Sequence, residues 1–137
     1  MYKLTEAAID DFHDSLERCG LSSKFLQDFY KRFVASSPEI ADKFASTNFK
    51  TQARVLKTSL YMAMLASDRN HEAREYLDRI AERHGREVLN IKPEYYDLWL
   101  ESMIATVQEH DPLYSSDVEQ VWRNFMLPAI EYMKSRY

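Results

Sequence analysis

With 137 residues, a formal charge of −4 (18 Lys and Arg against 22 Asp and Glu) and one cysteine, the chain suits a single domain over residues 1–137 and excludes an internal disulfide framework. The acidic balance speaks against nucleic acid. No apolar run nears the ~20 residues of a membrane span and the first residues lack a signal-peptide pattern, so a soluble, cytoplasmic protein with no membrane partner is expected. Two glycines and four prolines are too few for a hairpin-rich β fold.

Capping residues and apolar spacing divide the chain into helices. Thr5 can cap a first helix that stops near Cys19 and Gly20. Ser22 or Ser23 can cap a second, in which Phe25, Leu26, Phe29, Tyr30 and Phe33 form one broad apolar stripe. Ser37-Pro38-Glu39 joins a capping serine, a proline suited to the first helical position and an acid at the positive end of the dipole. The short helix it opens reaches to about Phe44, and residues 45–48 read as a loop.

Asn48 can cap a long fourth helix. Phe49, Gln52, Ala53, Leu56, Ser59, Leu60, Ala63 and Ser67 share its inward face, with Gln52 at the edge. A fifth helix follows Ser67-Asp68 and aligns Leu77, Ile80, Ala81, His84 and Val88, flanked by a charged face of mixed sign. Pro93-Glu94 opens a sixth, with Tyr96, Trp99, Leu100, Met103, Ile104 and Val107 inward, and His110-Asp111-Pro112 ends it. Ser116 and Glu119 have the spacing of a capping box for the last helix, which turns Val118, Val121, Trp122, Phe125, Ala129, Ile130 and Met133 inward and carries Pro128 inside its pattern. Six or seven helices and no strand give an all-α class.

Polar residues on apolar faces are where chemistry is to be sought. His84 takes a position the pattern would give to an aliphatic residue, so its imidazole needs a partner. It reads either as a core histidine bonded to a carbonyl or as a metal ligand. His13, His71 and His110 read as surface residues. No HxxxH or HExxH spacing suggests zinc, and no glycine-rich phosphate loop exists. Cys19 beside Arg18 reads as a small inert side chain rather than a thiolate.

Several segments resemble the globin superfamily, and bacterial haemoglobins and flavohaemoglobins in particular. FYKRFVASSPEIADKF (residues 29–44) resembles their second and third helices. QARVL (residues 52–56) resembles the Gln-x-x-x-Leu of the distal helix. IAERHGREVLNIKPEYYDLW (residues 80–99) resembles the proximal segment and the helix after it. The likeness runs in order along nearly the whole chain.

The resemblance implies a globin fold of about six to seven helices sandwiching a non-covalent haem b. It implies that His84 is the axial iron ligand and that Phe44 packs on the porphyrin plane. By the same likeness Tyr30 and Gln52 are distal polar groups facing a bound ligand, and Leu56 is the apolar residue one turn on. Tyr96 and Glu131 resemble the pair that hydrogen-bonds the proximal histidine, while Trp99 and Met103 either line the pocket or fill the core.

The implied function is binding of O₂, and of NO or CO, at a five-coordinate ferrous haem. One alternative is an NO dioxygenase or peroxidase-type enzyme, which would need a separate reductase because 137 residues leave no room for a flavin domain. Another is a haem-free globin-like signalling or interaction module. A monomer or a homodimer is compatible with all three.

Overall fold

The computed structural model describes residues 6–20, 22–67 and 70–137. Among the described residues the secondary structure is helical throughout, in seven helices: α1 (Glu6–Cys19), α2 (Ser23–Ala35), α3 (Pro38–Lys43), α4 (Phe49–Ser67), α5 (His71–His84), α6 (Pro93–His110) and α7 (Ser116–Ser135). Thr5 lies outside the described residues.

The helix ends follow local chemistry. Gly20 ends α1 with φ +77°, a left-handed conformation that only a residue without Cβ adopts freely. Ser22, Ser37 and Asn48 cap α2, α3 and α4 through hydrogen bonds to the amides of Phe25, Glu39 and Lys50. One further cap was not expected and another differs from expectation. The cap of α5 is Asn70, whose Oδ1 accepts from the Ala73 amide at 2.9 Å. The cap of α7 is Ser115, not Ser116, so Glu119 falls one residue beyond the capping-box position and instead accepts from Tyr114 and Arg123.

Burial follows the helical period. In α1 the buried residues are Phe12, Ser15, Leu16 and Cys19, at i, i+3, i+4 and i+7. Phe12 stacks on Phe125 with ring centroids 4.4 Å apart and meets the edge of Trp122 at 4.8 Å, which locks α1 onto α7. Truncating such a ring to alanine costs about 3–5 kcal/mol. The buried stripe of α2 is the expected one, from Phe25 to Phe33. Pro128 lies within α7, which runs on to Ser135, so the Asn124 carbonyl lacks its usual helical donor.

Four helices frame the region that matters for function. α2 packs on α3, α4 and α6, while α5 packs on α4 and α7. Named contacts close the frame. The Tyr30 hydroxyl on α2 reaches the main chain of α4, His84 on α5 meets Tyr96 on α6, and Trp99 on α6 packs against Phe29 on α2. No helix among the described residues is long and apolar enough to cross a membrane.

Candidate functional site

His84 is the last residue of α5 and is half-buried. Its surroundings hold the chain end of the helix in place. Gly85 caps α5, and a Cβ there would come within 3.2 Å of the Glu82 carbonyl, so the turn needs glycine's bareness. The chain then folds back. The Leu89 amide bonds to the Arg83 carbonyl, the Asn90 amide to Gly85 and the Ile91 amide to His84 itself at 2.9 Å. Asn90 adopts φ 52°, a left-handed conformation that asparagine tolerates better than most residues. Tyr137 holds the same turn from outside: its hydroxyl donates to the Asn90 side chain, and the Arg86 guanidinium lies 4.7 Å above its ring.

This turn brings α6 back against the imidazole. His84 Nδ1 is 3.2 Å from the Tyr96 hydroxyl, and no described residue engages Nε2. Burial, with a smaller push from the neighbouring Arg83 charge, holds the imidazole's pKa below its ordinary value. The neutral form, with one nitrogen lone pair available, is therefore the one favoured at neutral pH. Burial also pushes the Tyr96 phenol up to about 12, so it keeps its proton. Glu131 does not take part: its side chain is 68% exposed and points to Lys134.

A second group of the expected residues lies on α2 to α4. Tyr30 is buried, and burial raises its phenol well above the usual range. Its hydroxyl donates to the Gln52 main-chain carbonyl at 3.3 Å, and no hydrogen bond joins it to the Gln52 side chain among the described residues. Leu56, one turn on, is buried. Phe44 follows α3 as its C-cap and is half-buried, with its ring 5.8 Å from Tyr30 and 5.7 Å from Phe33. Trp99 is half-buried, its ring 5.6 Å from Phe29. The structure thus joins Tyr30 to Phe44 and to the Gln52 main chain, with Leu56 one turn along the same helix, and separately joins His84 to Tyr96.

Other expectations change. Val88 does not continue the α5 stripe: the helix ends at His84 and Val88 is 62% exposed. Phe49 was expected to face inward from α4 but is 42% exposed, although its ring lies 5.5 Å from Tyr30. Tyr95, absent from the expected inward stripe of α6, is buried, and its hydroxyl donates to Glu39. His110 is not a surface residue. Its Nε2 is 2.7 Å from Asp28, and its ring meets the Phe25 edge at 5.3 Å. Asp28, Glu109 and His110 gather ligand-type atoms within 4.8 Å, but Lys24 already answers Asp28 and Arg32 answers Glu109. His13 and His71 are exposed, each beside a glutamate one helical turn on.

Comparison with known proteins agrees with this architecture. The sequence profile of the globin family matches residues 27–132. A flavohemoprotein of Halalkalibacterium halodurans is 35% identical over 98 residues, which are 69% of this chain but only 23% of that protein. The crystal structure of a Pseudomonas aeruginosa protein, described as structurally highly homologous to a human hemoglobin, superposes with a TM-score of 0.89 at 35% identity, covering 95% of this chain and 98% of that one. A profile spanning α2 to α7 and a shared fold over nearly the full described length make this chain a member of the globin family.

Proposed function

We propose that residues 1–137 form one globin domain that binds haem b non-covalently, with His84 as the iron ligand, and takes O₂ or another diatomic gas on the opposite side. The observation that carries this reading is the state of His84. It is a half-buried imidazole with Nδ1 tied to Tyr96 and Nε2 unengaged among the described residues. That donor set fits haem: one neutral nitrogen, oriented by a hydrogen bond at the other ring position. Bound haem would supply an open coordination position for the gas.

The chain's own residues do the rest. Tyr96 fixes the tautomer and direction of His84. Phe44 and Leu56 offer apolar surface, and Trp99 adds to it. The Tyr30 hydroxyl and the Gln52 side chain are the polar groups from the α2 and α4 side, and each O–H or N–H donated to a bound ligand stabilises it by about 1 kcal/mol or more. Cytoplasmic location and a role in oxygen binding or transport belong to this same reading.

The test is the absorption spectrum, ferric and dithionite-reduced, with and without CO. Wild type should show a haem band that shifts with CO. His84→Gly should lose it, and free imidazole should restore it. Colour and CO affinity unchanged in that variant would reject the assignment.

A second reading, NO dioxygenation or peroxidase-type turnover, is favoured by the 35% identity to a flavohemoprotein. The match covers 23% of that protein, and turnover would need a source of electrons, which a separate reductase would supply. Consumption of NO by the reduced protein, or its absence, separates the two.

A further inference from the structure

We propose that the outer face of α4 docks an acidic one-electron donor protein of the ferredoxin class. The proposal rests on the haem reading above. It starts from an imbalance of charge. The chain as a whole is acidic, with 22 Asp and Glu against 18 Lys and Arg. Yet the nineteen residues of α4, FKTQARVLKTSLYMAMLAS, contain no carboxylate. Its three cations, Lys50, Arg54 and Lys57, follow at i, i+4 and i+7 and so share one face.

All three are exposed, and no described carboxylate pairs with them. Several cations on other helices are answered: Arg18 holds Asp111, Arg32 holds Glu109, Arg123 holds Glu101 and Lys134 holds Asp97. Val55, which follows Arg54 in the helix, is an apolar side chain 42% exposed. Three unpaired cations with a small apolar complement suit a weak, electrostatically steered encounter, the kind of interface that redox partners form.

Position selects the type of partner. Gln52 and Leu56 lie on the same helix, between the cations in sequence. A protein seated on α4 is therefore one helix thickness, ~10 Å, from the proposed ligand side. The ferrous state is the one that binds O₂, so each ferric molecule must receive an electron. In the step proposed, one electron leaves the reduced iron–sulfur cluster of the donor, which returns to its oxidised form. Bound ferric haem would take up that one electron and become ferrous, so the electron lost by the cluster is the one gained by the iron. Plant-type ferredoxins, at about −400 mV, are strong enough reductants to serve.

The experiment uses the haem-loaded protein and an acidic plant-type ferredoxin as the probe. Three variants are compared: wild type, Lys50→Glu/Arg54→Glu/Lys57→Glu, and the milder Lys50→Gln/Arg54→Gln/Lys57→Gln, which remains informative if charge reversal disturbs folding. Stopped-flow reduction by ferredoxin at low ionic strength should fall about tenfold or more in the charge-reversed protein, and the salt dependence of the wild-type rate should disappear. Reduction by dithionite should stay the same in all three. NMR titration with oxidised ferredoxin should shift amides of α4 in wild type only.

Equal ferredoxin rates in wild type and both variants would overturn the proposal, as would shifts confined to other helices. Binding to phosphatidylglycerol vesicles through the same three residues, at least as tight as to ferredoxin, would overturn it in favour of a lipid surface. Failure of the haem reading shows separately, as a wild-type spectrum that dithionite does not change, and the NMR titration still reports docking in that case.

Discussion

His84 Nδ1 and the Tyr96 hydroxyl lie 3.2 Å apart, joining the end of α5 to the first turn of α6. Two arrangements of the proton are compatible with that distance, but only one leaves Nε2 with a lone pair: the Nδ1–H donates and the tyrosine oxygen accepts. If His84 is a ligand, Tyr96 therefore selects the ligating tautomer. Tyr96→Phe should weaken that constraint. In the ferrous protein the iron–histidine stretch should move to lower frequency in resonance Raman spectra, and urea unfolding should show a loss of about 1 kcal/mol. An unchanged stretch would mean that Tyr96 only fills space. Glu131→Gln, by contrast, should leave the stretch unaltered, because that side chain is 68% exposed.

Tyr30 has a single hydroxyl proton, and it is given to the Gln52 main-chain carbonyl. At 3.3 Å the bond is longer than is usual between hydroxyl and oxygen, so little is lost when the proton turns to another acceptor. A bound gas can compete for it. Tyr30→Phe should therefore speed O₂ release about tenfold or more, equivalent to ~1.4 kcal/mol. Stopped-flow measurement on the CO-trapped protein gives the rate directly, and an unchanged value would remove Tyr30 from the ligand's surroundings. Gln52→Ala tests the other donor, and its effect should be separable since the tyrosine bond uses only the Gln52 main chain.

How far the sequence discloses all this depends on the range of the interaction concerned. Period and caps are local, and the stripe Phe25–Phe33, the Ser37-Pro38 start and the Gly20 stop all stand in the structure as the residues imply. Where a stop signal is weak, the period misleads. Val88 fits the α5 stripe by spacing, but Gly85 ends the helix first, and nothing in the spacing marks that glycine as the end. Contacts between distant residues are not legible at all. His110 meets Asp28, 82 positions away, and Tyr95 meets Glu39, 56 positions away. The Tyr96 contact was implied by family likeness alone. The exposure of Glu131 agrees with its place outside the inward stripe of α7, where its neighbour Ile130 is buried, and not with the contact the family likeness implied.

Cys19 supplies a prediction with a simple readout. It is buried, and burial, aided by the nearby Asp111 charge, pushes its thiol up to about 12. The adjacent Arg18 offsets little of this because its guanidinium is committed to Asp111. In the folded protein the thiol should react with Ellman's reagent at pH 8 only as fast as the protein opens, and at full speed in urea. Rapid stoichiometric reaction of the folded protein would show that the α1 and α7 contact is looser than its packing implies.

Asp111 carries the clearest pH dependence. Its side chain is fully buried at the end of α6, where it receives the Arg18 guanidinium, the Ser15 hydroxyl at 2.7 Å and the Leu113 amide at 2.9 Å. Ser15 in turn accepts from the Trp122 indole at 2.8 Å, so the carboxylate ties α1, α6 and α7 together. Burial alone would raise its pKa, but Arg18, Ser15 and the Leu113 amide outweigh that and hold it below the ordinary 3.8. A folded value below the unfolded one means the stabilisation is fully present above pH 3.8 and is lost as the pH falls through the folded value. Asp111→Asn leaves Arg18 without its counter-charge, although Arg18 is 26% exposed and water recovers part of the loss. The expected cost at pH 7 is about 3 kcal/mol, at the low end for a broken buried pair. Urea unfolding of wild type and variant at pH 7 and again at about pH 2.5 should show the gap closing in acid as wild type takes up its proton. A gap of equal size at both pH values would mean that the carboxylate's shape, not its charge, holds the three helices.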